Sequence, residues 1–395
     1  MTLHRRMRLV FWSLILAYSV IFLTLYVLLK VPNNLRVVPF EMEKTVRPYA
    51  REIARSDVKI CRRGVKDSSR MARYEEAYEA WRDGLPRRNA TFNCSPKNHI
   101  LFRKVHKCGS TTLANIFLRY AFLNNLRVVP FSFNLAPNQK YDILAHHCGF
   151  NETRFQKALP KDVFKMGLVR EPFSKFKSAF FFYQRRLEST LPFSSDNHLK
   201  EFLINYDKWS QSLKLPVGIR RNSMSQEMGT YHEGLRRNRT DLKAFLNNLS
   251  NYYDFVAIQD RTDESLVLLR RRLCWDLRDI VYRRKLTGKY NAESFVDSEL
   301  ITRHKTSDSV DFALYNYFNN KLMKEIAQQN NDFYVELQYF KQLNGQITEF
   351  CEQPRTIRSN SVLEVERSPW SAGFTVDDCF CSLMTDIMEF KRWKN

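Results

Sequence analysis

Beyond about residue 98 the chain alternates short apolar runs with helical periodicity. "HILFRKV" at 99–105 leads through a polar loop into a segment that sets Leu113, Ile116, Phe117 and Tyr120 on one helical face. "YDILA" at 141–145 ends at His146 and His147. "VFKMGLV" at 163–169 ends at Arg170 and enters "EPFSKFKSAFFFY", where Pro172 suits a first helical turn and Phe173, Phe176 and Phe180 recur as a buried stripe. "YDFVAIQD" at 253–260 is a fourth strand candidate. Strands alternating with helices predict an α/β domain whose parallel sheet is flanked by helices. Three of these strands deliver polar residues at their C-terminal ends, the edge at which open parallel sheets bind ligands.

The start of the chain follows a different pattern. Residues 9–29, "LVFWSLILAYSVIFLTLYVLL", carry no charge and are long enough to cross a bilayer core of roughly 30 Å. His4, Arg5, Arg6 and Arg8 precede this stretch, and Lys30 follows it without a small-residue cleavage site. The pattern predicts a retained signal anchor: residues 1–8 as a cytoplasmic tail, 9–29 as a transmembrane helix, and the remainder in the secretory lumen. Residues 30–97, with Pro32, Asn33 and Asn34 breaking the span and no long core strand evident, read as a luminal stem before a catalytic domain at 98–395. Asn89, Asn93, Asn151, Asn238 and Asn248 each open an Asn-X-Ser/Thr triplet, which a luminal location would expose to glycosylation. All eight cysteines lie beyond the span, and several should pair in an oxidising lumen. Cys379 and Cys381 sit too close for an easy mutual bridge, so each is expected to find another partner.

The formal charge of +21 favours anionic partners, whether nucleic acid, phosphorylated cofactors, sulfated sugars or acidic lipids. Luminal topology argues against nucleic acid. No CxxC pair accompanies the eight histidines, which favours disulfides over zinc. The pattern leaves the oligomeric state open.

"KVHKCGSTTL" at 104–113 supplies the first candidate site. A loop between strand and helix aims backbone N–H groups and the positive helix end at an anion, and Lys107 adds a full charge. A Walker loop would need an earlier glycine and a lysine after the second one; here the lysine precedes Gly109, so that motif fits poorly. Arg170, leaving the third strand, and Ser178, two turns into the next helix, can converge on one phosphate through charge-assisted hydrogen bonds.

Four blocks, "KVHKCGSTTLANIFLRYAF", "ILAHHCGFNETRF", "MGLVREPFSKFKSAFFFY" and "DESLVLLRRRLCWDLRDIVY", together resemble the Golgi galactose 3-O-sulfotransferases in order and spacing, from about Ile100 to Tyr282. "VHKCGSTT" departs from that family's Thr-His-Lys-Thr opening at Val105 and Cys108. The resemblance implies a P-loop-like sulfotransferase fold and 3′-phosphoadenosine 5′-phosphosulfate as co-substrate, with no metal. It also implies that Lys107, Gly109, Ser110, Thr111 and Thr112 cradle the 5′-phosphosulfate while Arg170 and Ser178 hold the 3′-phosphate.

Sulfuryl transfer to a hydroxyl also needs a base, and His106, His146 and His147 are the candidates. Strand alternation points His146 and His147 to opposite faces, so one of them faces the crevice. A His-X-X-Phe pattern in a similarly placed block of the uronyl 2-O-sulfotransferases resembles His147 to Phe150, which favours His147, with His106 next. The resulting expectation is a single-pass type II Golgi enzyme that sulfates the 3-hydroxyl of a β-galactose, on a glycolipid such as galactosylceramide or on a glycoprotein glycan. The alternatives are a uronyl 2-O-sulfotransferase acting on glycosaminoglycans and a luminal carbohydrate-binding protein without turnover.

Overall fold

The computed structural model of the chain describes residues 94–212, 214–283 and 297–390, together with a strand at 35–39 and isolated residues at 79, 82, 83 and 393. The elements the site depends on are, in chain order, β1 (Leu35–Pro39), β2 (Ile100–Arg103), α1 (Ser110–Leu123), β3 (Ile143–Leu144), α2 (Glu152–Ala158), β4 (Phe164–Val169) and α3 (Pro172–Thr190). They continue with α4 (Ser223–Met228), α5 (Arg239–Tyr252), β5 (Phe255–Ile258), α6 (Thr262–Leu273), α7 (Ser298–Ser307), α8 (Ser309–Ala327), α9 (Asn331–Glu352), β6 (Ser361–Val365), β7 (Phe374–Val376) and α10 (Asp378–Asp386).

A four-stranded parallel sheet in the order β3-β2-β4-β5 is the centre of the molecule. The four apolar runs all become strands, although β3 keeps only two residues of its run. Side chains alternate across the sheet: Ile100 and Phe102 enter the large core, whereas Leu101 joins Leu144, Val129 and Phe155 on the opposite side. Burial on both faces explains why these strands read as continuous apolar runs. Because β2 and β3 run outward one way and β4 and β5 the other, the chain reverses direction between β2 and β4, and a crevice opens at their C-terminal ends.

α1 differs from the one-sided helix its periodicity predicts, being buried all round from Leu113 to Phe122. Its second face lies under the C-terminal region. Asn115 donates to the carbonyls of Met384 and Thr385, and Arg119 donates to those of Asp279 and Val281 while stacking on Phe380. A disulfide between Cys351 and Cys381 ties α9 to α10, and another between Cys94 and Cys274 ties the approach to β2 to the end of α6. Cys379 is also disulfide-bonded, so neither it nor Cys381 pairs with the other. A second, antiparallel sheet in the order β1-β6-β7 draws residues 35–39, within the segment read as stem, onto the C-terminal region.

In α3, Glu171 caps the first turn ahead of Pro172, and Phe176 and Phe180 are buried with Phe173 packed beside them. This stripe meets Phe202, Tyr206 and a fully buried His304 from α7. Next to it, two buried carboxylates moor the segment 217–228. Asp308 accepts from Tyr206 Oη and the Asn222 N–H, and Asp311 accepts from the N–H groups of Met224 and Ser225 and from Ser225 Oγ. Lys175 reaches the same segment at the Gly218 carbonyl and Ser223 Oγ. Burial pushes Asp308 and Asp311 up to about 6, with the Lys175 charge opposing the rise.

Among the described residues no helix is long and apolar enough to cross a membrane; residues 9–29, Asn89 and Asn93 lie outside them. Asn151, Asn238 and Asn248 are exposed. The first two are helix N-caps that use their side-chain oxygens, which leaves their amide nitrogens out of the cap.

His304 generates a pH test. Burial and the Lys175 charge push it down to about 3, so it is neutral in the fold, 3.4 Å from Asp308. In the unfolded chain it takes up a proton below about pH 6.5. Stability from the neutral ring is therefore complete above that pH and is lost as pH falls toward 3. His304→Phe is expected to flatten the fall in Tm between about pH 6.5 and 4, measured by thermal unfolding across pH.

Candidate active site

The site is built on the C-terminal ends of β2, β3 and β4. After Arg103 the chain leaves β2 through Lys104, Val105 and His106, and it turns at Lys107, whose φ of 61° lies in the left-handed region. Gly109 follows at φ 75° as the N-cap of α1. A side chain there would be strained and would press on Gln259. Ser110 Oγ donates to the Val105 carbonyl at 2.6 Å and pins the loop, and Thr111 and Thr112 lie half-buried in the first turn.

Two helix starts face the crevice and differ in their caps. At α3 the carboxylate of Glu171 accepts from the N–H groups of Phe173 and Ser174. At α1 there is no side-chain cap and no acidic residue in the first turn. The positive end of α1 is thus open to an anion, whereas that of α3 is already satisfied.

Arg170 crosses from the end of β4 to donate to the Lys107 carbonyl at 3.2 Å. Its Nε is buried and has no hydrogen-bond partner among the described residues. Neither Lys107 nor Arg170 is ion-paired among them. Burial, with the Arg170 charge added, pushes Lys107 down to about 8. Two neighbouring cations, an orphaned guanidinium nitrogen and an uncapped helix start all call for one kind of ligand, and the residues fit a phosphorylated or sulfated group. Ser178 lies buried two turns into α3.

The two histidines lie just past the end of β3 and enter different surroundings. His146 is buried between Phe131 and Phe133. His147 enters the crevice and stacks on His106, with ring centroids 3.8 Å apart and planes at 15°. Its Nδ1 donates to the Lys104 carbonyl at 2.8 Å, which leaves Nε2 as the acceptor. His147 is exposed at its surface, yet protein packed closely around it desolvates the ring. That desolvation, with like charge from Lys104 and His106, lowers its pKa and keeps the ring neutral.

The partner that sequence reading missed is Glu227, at the end of α4. Only 8% exposed, it accepts from His106 Nδ1 at 2.7 Å and from the His106 N–H at 3.2 Å. No local signal marks "SMSQEMG" as functional. The contact spans 121 positions and exists because Asp308, Asp311 and Lys175 fix the segment that carries it. Gly218, on the same segment, lets His106 approach: a Cβ there would stand 3.0 Å from His106 Cβ. The donor atoms of His106, His147 and Glu227 lie within 4.8 Å of one another, the spacing of a metal-ligand set. Both Nδ1 atoms are already engaged, which leaves each ring its Nε2 as the proton-accepting atom.

An α/β fold with a cationic crevice at the switch point of its parallel sheet, beside a carboxylate-backed histidine, suits group transfer from an anionic donor. A profile of the galactose-3-O-sulfotransferase family matches residues 68–377, a span that contains every crevice residue described above, and the chain belongs to that family. Galactosylceramide sulfotransferase of Mus musculus is 23% identical to it over 303 residues, 72% of this chain and 71% of the mouse protein. Galactose-3-O-sulfotransferase 2 of Homo sapiens is 27% identical over 252 residues, 59% of this chain and 62% of its own. Galactose-3-O-sulfotransferase 3 of Homo sapiens is 26% identical over 252 residues, 58% and 57% respectively.

The cation pair has a chemical signature. With its pKa at about 8, roughly half of Lys107 is unprotonated at pH 8, where ordinary lysines are almost fully charged. Competitive acylation followed by peptide mapping should label Lys107 ahead of exposed lysines, and pyrophosphate should slow that labelling. Arg170→Gln, by removing the like charge, should raise the pKa and slow it too. Labelling at the rate of surface lysines would contradict this placement of the ammonium.

Proposed function

We propose that the protein transfers a sulfuryl group from 3′-phosphoadenosine 5′-phosphosulfate to the 3-hydroxyl of a β-galactose in a glycolipid or glycoprotein glycan. What carries the reading is the meeting of Lys107, Arg170 and the uncapped start of α1 beside the His106–Glu227 pair. The donor supplies an activated sulfuryl group and a phosphate leaving group. Lys107 and the N–H groups of the first turn of α1 bind its 5′ side and stabilise charge growing on the leaving oxygen. Arg170 and Ser178 bind the 3′-phosphate.

The acceptor hydroxyl gives its proton to a histidine Nε2. Sequence comparison favoured His147, but the contacts favour His106: Glu227 holds its Nδ1–H and stabilises the imidazolium that forms. His147 has only a backbone carbonyl behind it, and neighbouring positive charge opposes its protonation. His147 then acts as the neutral ring that keeps His106 in plane and accepts a hydrogen bond from the sugar.

Incubating the chain with labelled donor and a panel of galactosylceramide, lactosylceramide, galactose-terminated glycans and heparan precursors tests the acceptor class. Label confined to uronic acids would replace this reading with a 2-O-sulfotransferase. Arg170→Ala should weaken adenosine 3′,5′-bisphosphate binding by about tenfold to a hundredfold in calorimetry. His106→Ala should lower turnover by about 10² to 10⁴ while nucleotide affinity stays. If His147→Ala produces that loss and His106→Ala does not, the base is His147.

The same reading includes a Golgi membrane anchor at residues 9–29 with the catalytic part in the lumen. Supporting it are the uncharged span, the arginines before it, the disulfides Cys94–Cys274 and Cys351–Cys381, and three exposed sequons. An N-terminal tag should stay with the membrane fraction, and glycosidase treatment should raise gel mobility. A secreted product without the tag would contradict the anchor.

A further inference from the structure

α3 carries a run of aromatics, Phe180 to Tyr183, of which the phenylalanine stripe explains only part. Phe180 is buried, whereas Phe182 is 58% exposed, the most open of the large hydrophobic side chains among the described residues. An isolated exposed phenylalanine needs no explanation by itself. This one lies in the crevice. The Lys107 ammonium sits 3.7 Å from its ring centroid, and the ring of Tyr183 meets it edge-on at 4.9 Å.

Tyr183 turns back toward the proton-handling group. A Cβ on Gly218 would stand 3.4 Å from Tyr183 Cε2, 3.0 Å from His106 Cβ and 3.6 Å from Lys107 Cγ, so the four residues share one small volume. Glu227 acts on the Tyr183 hydroxyl as well, adding to burial in raising its pKa. Phe182 therefore continues a wall that starts at the His106–Glu227 pair and passes the lysine, and its exposed ring is the apolar surface on that wall. A cation over an exposed ring is held weakly and can be drawn off when an anion binds beside it.

We propose that Phe182 is the stacking face for the acceptor sugar. A β-galactoside has one apolar patch, the hydrogens on C3, C4 and C5 opposite its axial 4-hydroxyl, and a flat aromatic ring is its natural complement. Laid on Phe182 in this way, the sugar keeps its equatorial 3-hydroxyl at the rim, clear of the stack and free to meet the histidine pair. An epimer with an equatorial 4-hydroxyl lacks the continuous patch, so Phe182 discriminates between galactose and glucose configurations. The inference rests on the galactose reading above and deepens it.

Saturation-transfer NMR on the full chain with methyl β-galactoside and adenosine 3′,5′-bisphosphate tests this before any turnover, with acceptor kinetics alongside. The expected result is strongest saturation at H3, H4 and H5 in the wild type. Phe182→Ala should lose it and raise the galactoside KM by about tenfold, with Phe182→Trp restoring both. Calorimetric affinity for the nucleotide should be the same in all three proteins. Galactoside turnover with KM and saturation unchanged in Phe182→Ala would overturn the stacking role alone. Loss of nucleotide affinity in Phe182→Ala would assign the ring to the purine instead. A wild type that sulfates another acceptor and neither binds nor sulfates the galactoside would overturn the acceptor reading and this role with it.

Discussion

Lys107 and Arg170 stand side by side at the carboxyl edge of the sheet, with no carboxylate to neutralise them among the described residues. Two partly desolvated like charges repel, and the lysine pKa is lowered by burial first and by the Arg170 charge second. The arrangement persists because the backbone enforces it. Parallel pairing of β2 with β4 fixes where the two strands end, Ser110 pins the loop to Val105, and Arg170 is tied to the Lys107 carbonyl. Anionic groups entering the crevice would relieve the repulsion and offer acceptors to Arg170 Nε and to the uncapped start of α1. The site is thus organised in advance around a charge it does not itself contain.

The same economy shapes the proton-handling side. Glu227 is a buried carboxylate whose side chain is held by the imidazole and the N–H of His106. It is kept there by a layer of polar groups one step further in. Asp308 and Asp311 hold the backbone of residues 222–225, Asn222 Oδ1 accepts from the N–H groups of Val310 and Asp311 at the start of α8, and Lys175 fixes Ser223. Buried carboxylates with raised pKa values oppose folding by themselves, but their hydrogen bonds specify one position for the segment. That position delivers Glu227 to His106 and the bare α-carbon of Gly218 to its other side.

The chain beyond residue 297 contributes through coverage. α8 supplies the two buried aspartates, and α10, joined to α9 by the Cys351–Cys381 disulfide, closes over α1. A central helix buried on both sides holds its N-terminus still, which is a requirement for using its N–H groups as fixed donors.

By itself the sequence determined the parallel α/β plan, the lysine loop and the basic end of β4, and the family to which the chain belongs. These are local features: period-2 and period-3.6 patterns, glycine where φ is positive, and charged residues next to strand ends. They survive reading in one dimension because each rests on neighbours within a few residues. Only the tertiary structure decided that Asn115 and Arg119 are interior, since their partners lie more than 150 positions away. It alone paired Glu227 with His106, stacked His147 on that ring, left α1 uncapped while plugging α3, and turned Phe182 outward under the lysine. Contacts between distant segments depend on how layers pack, and packing is set by the whole core, so no local spacing announces them.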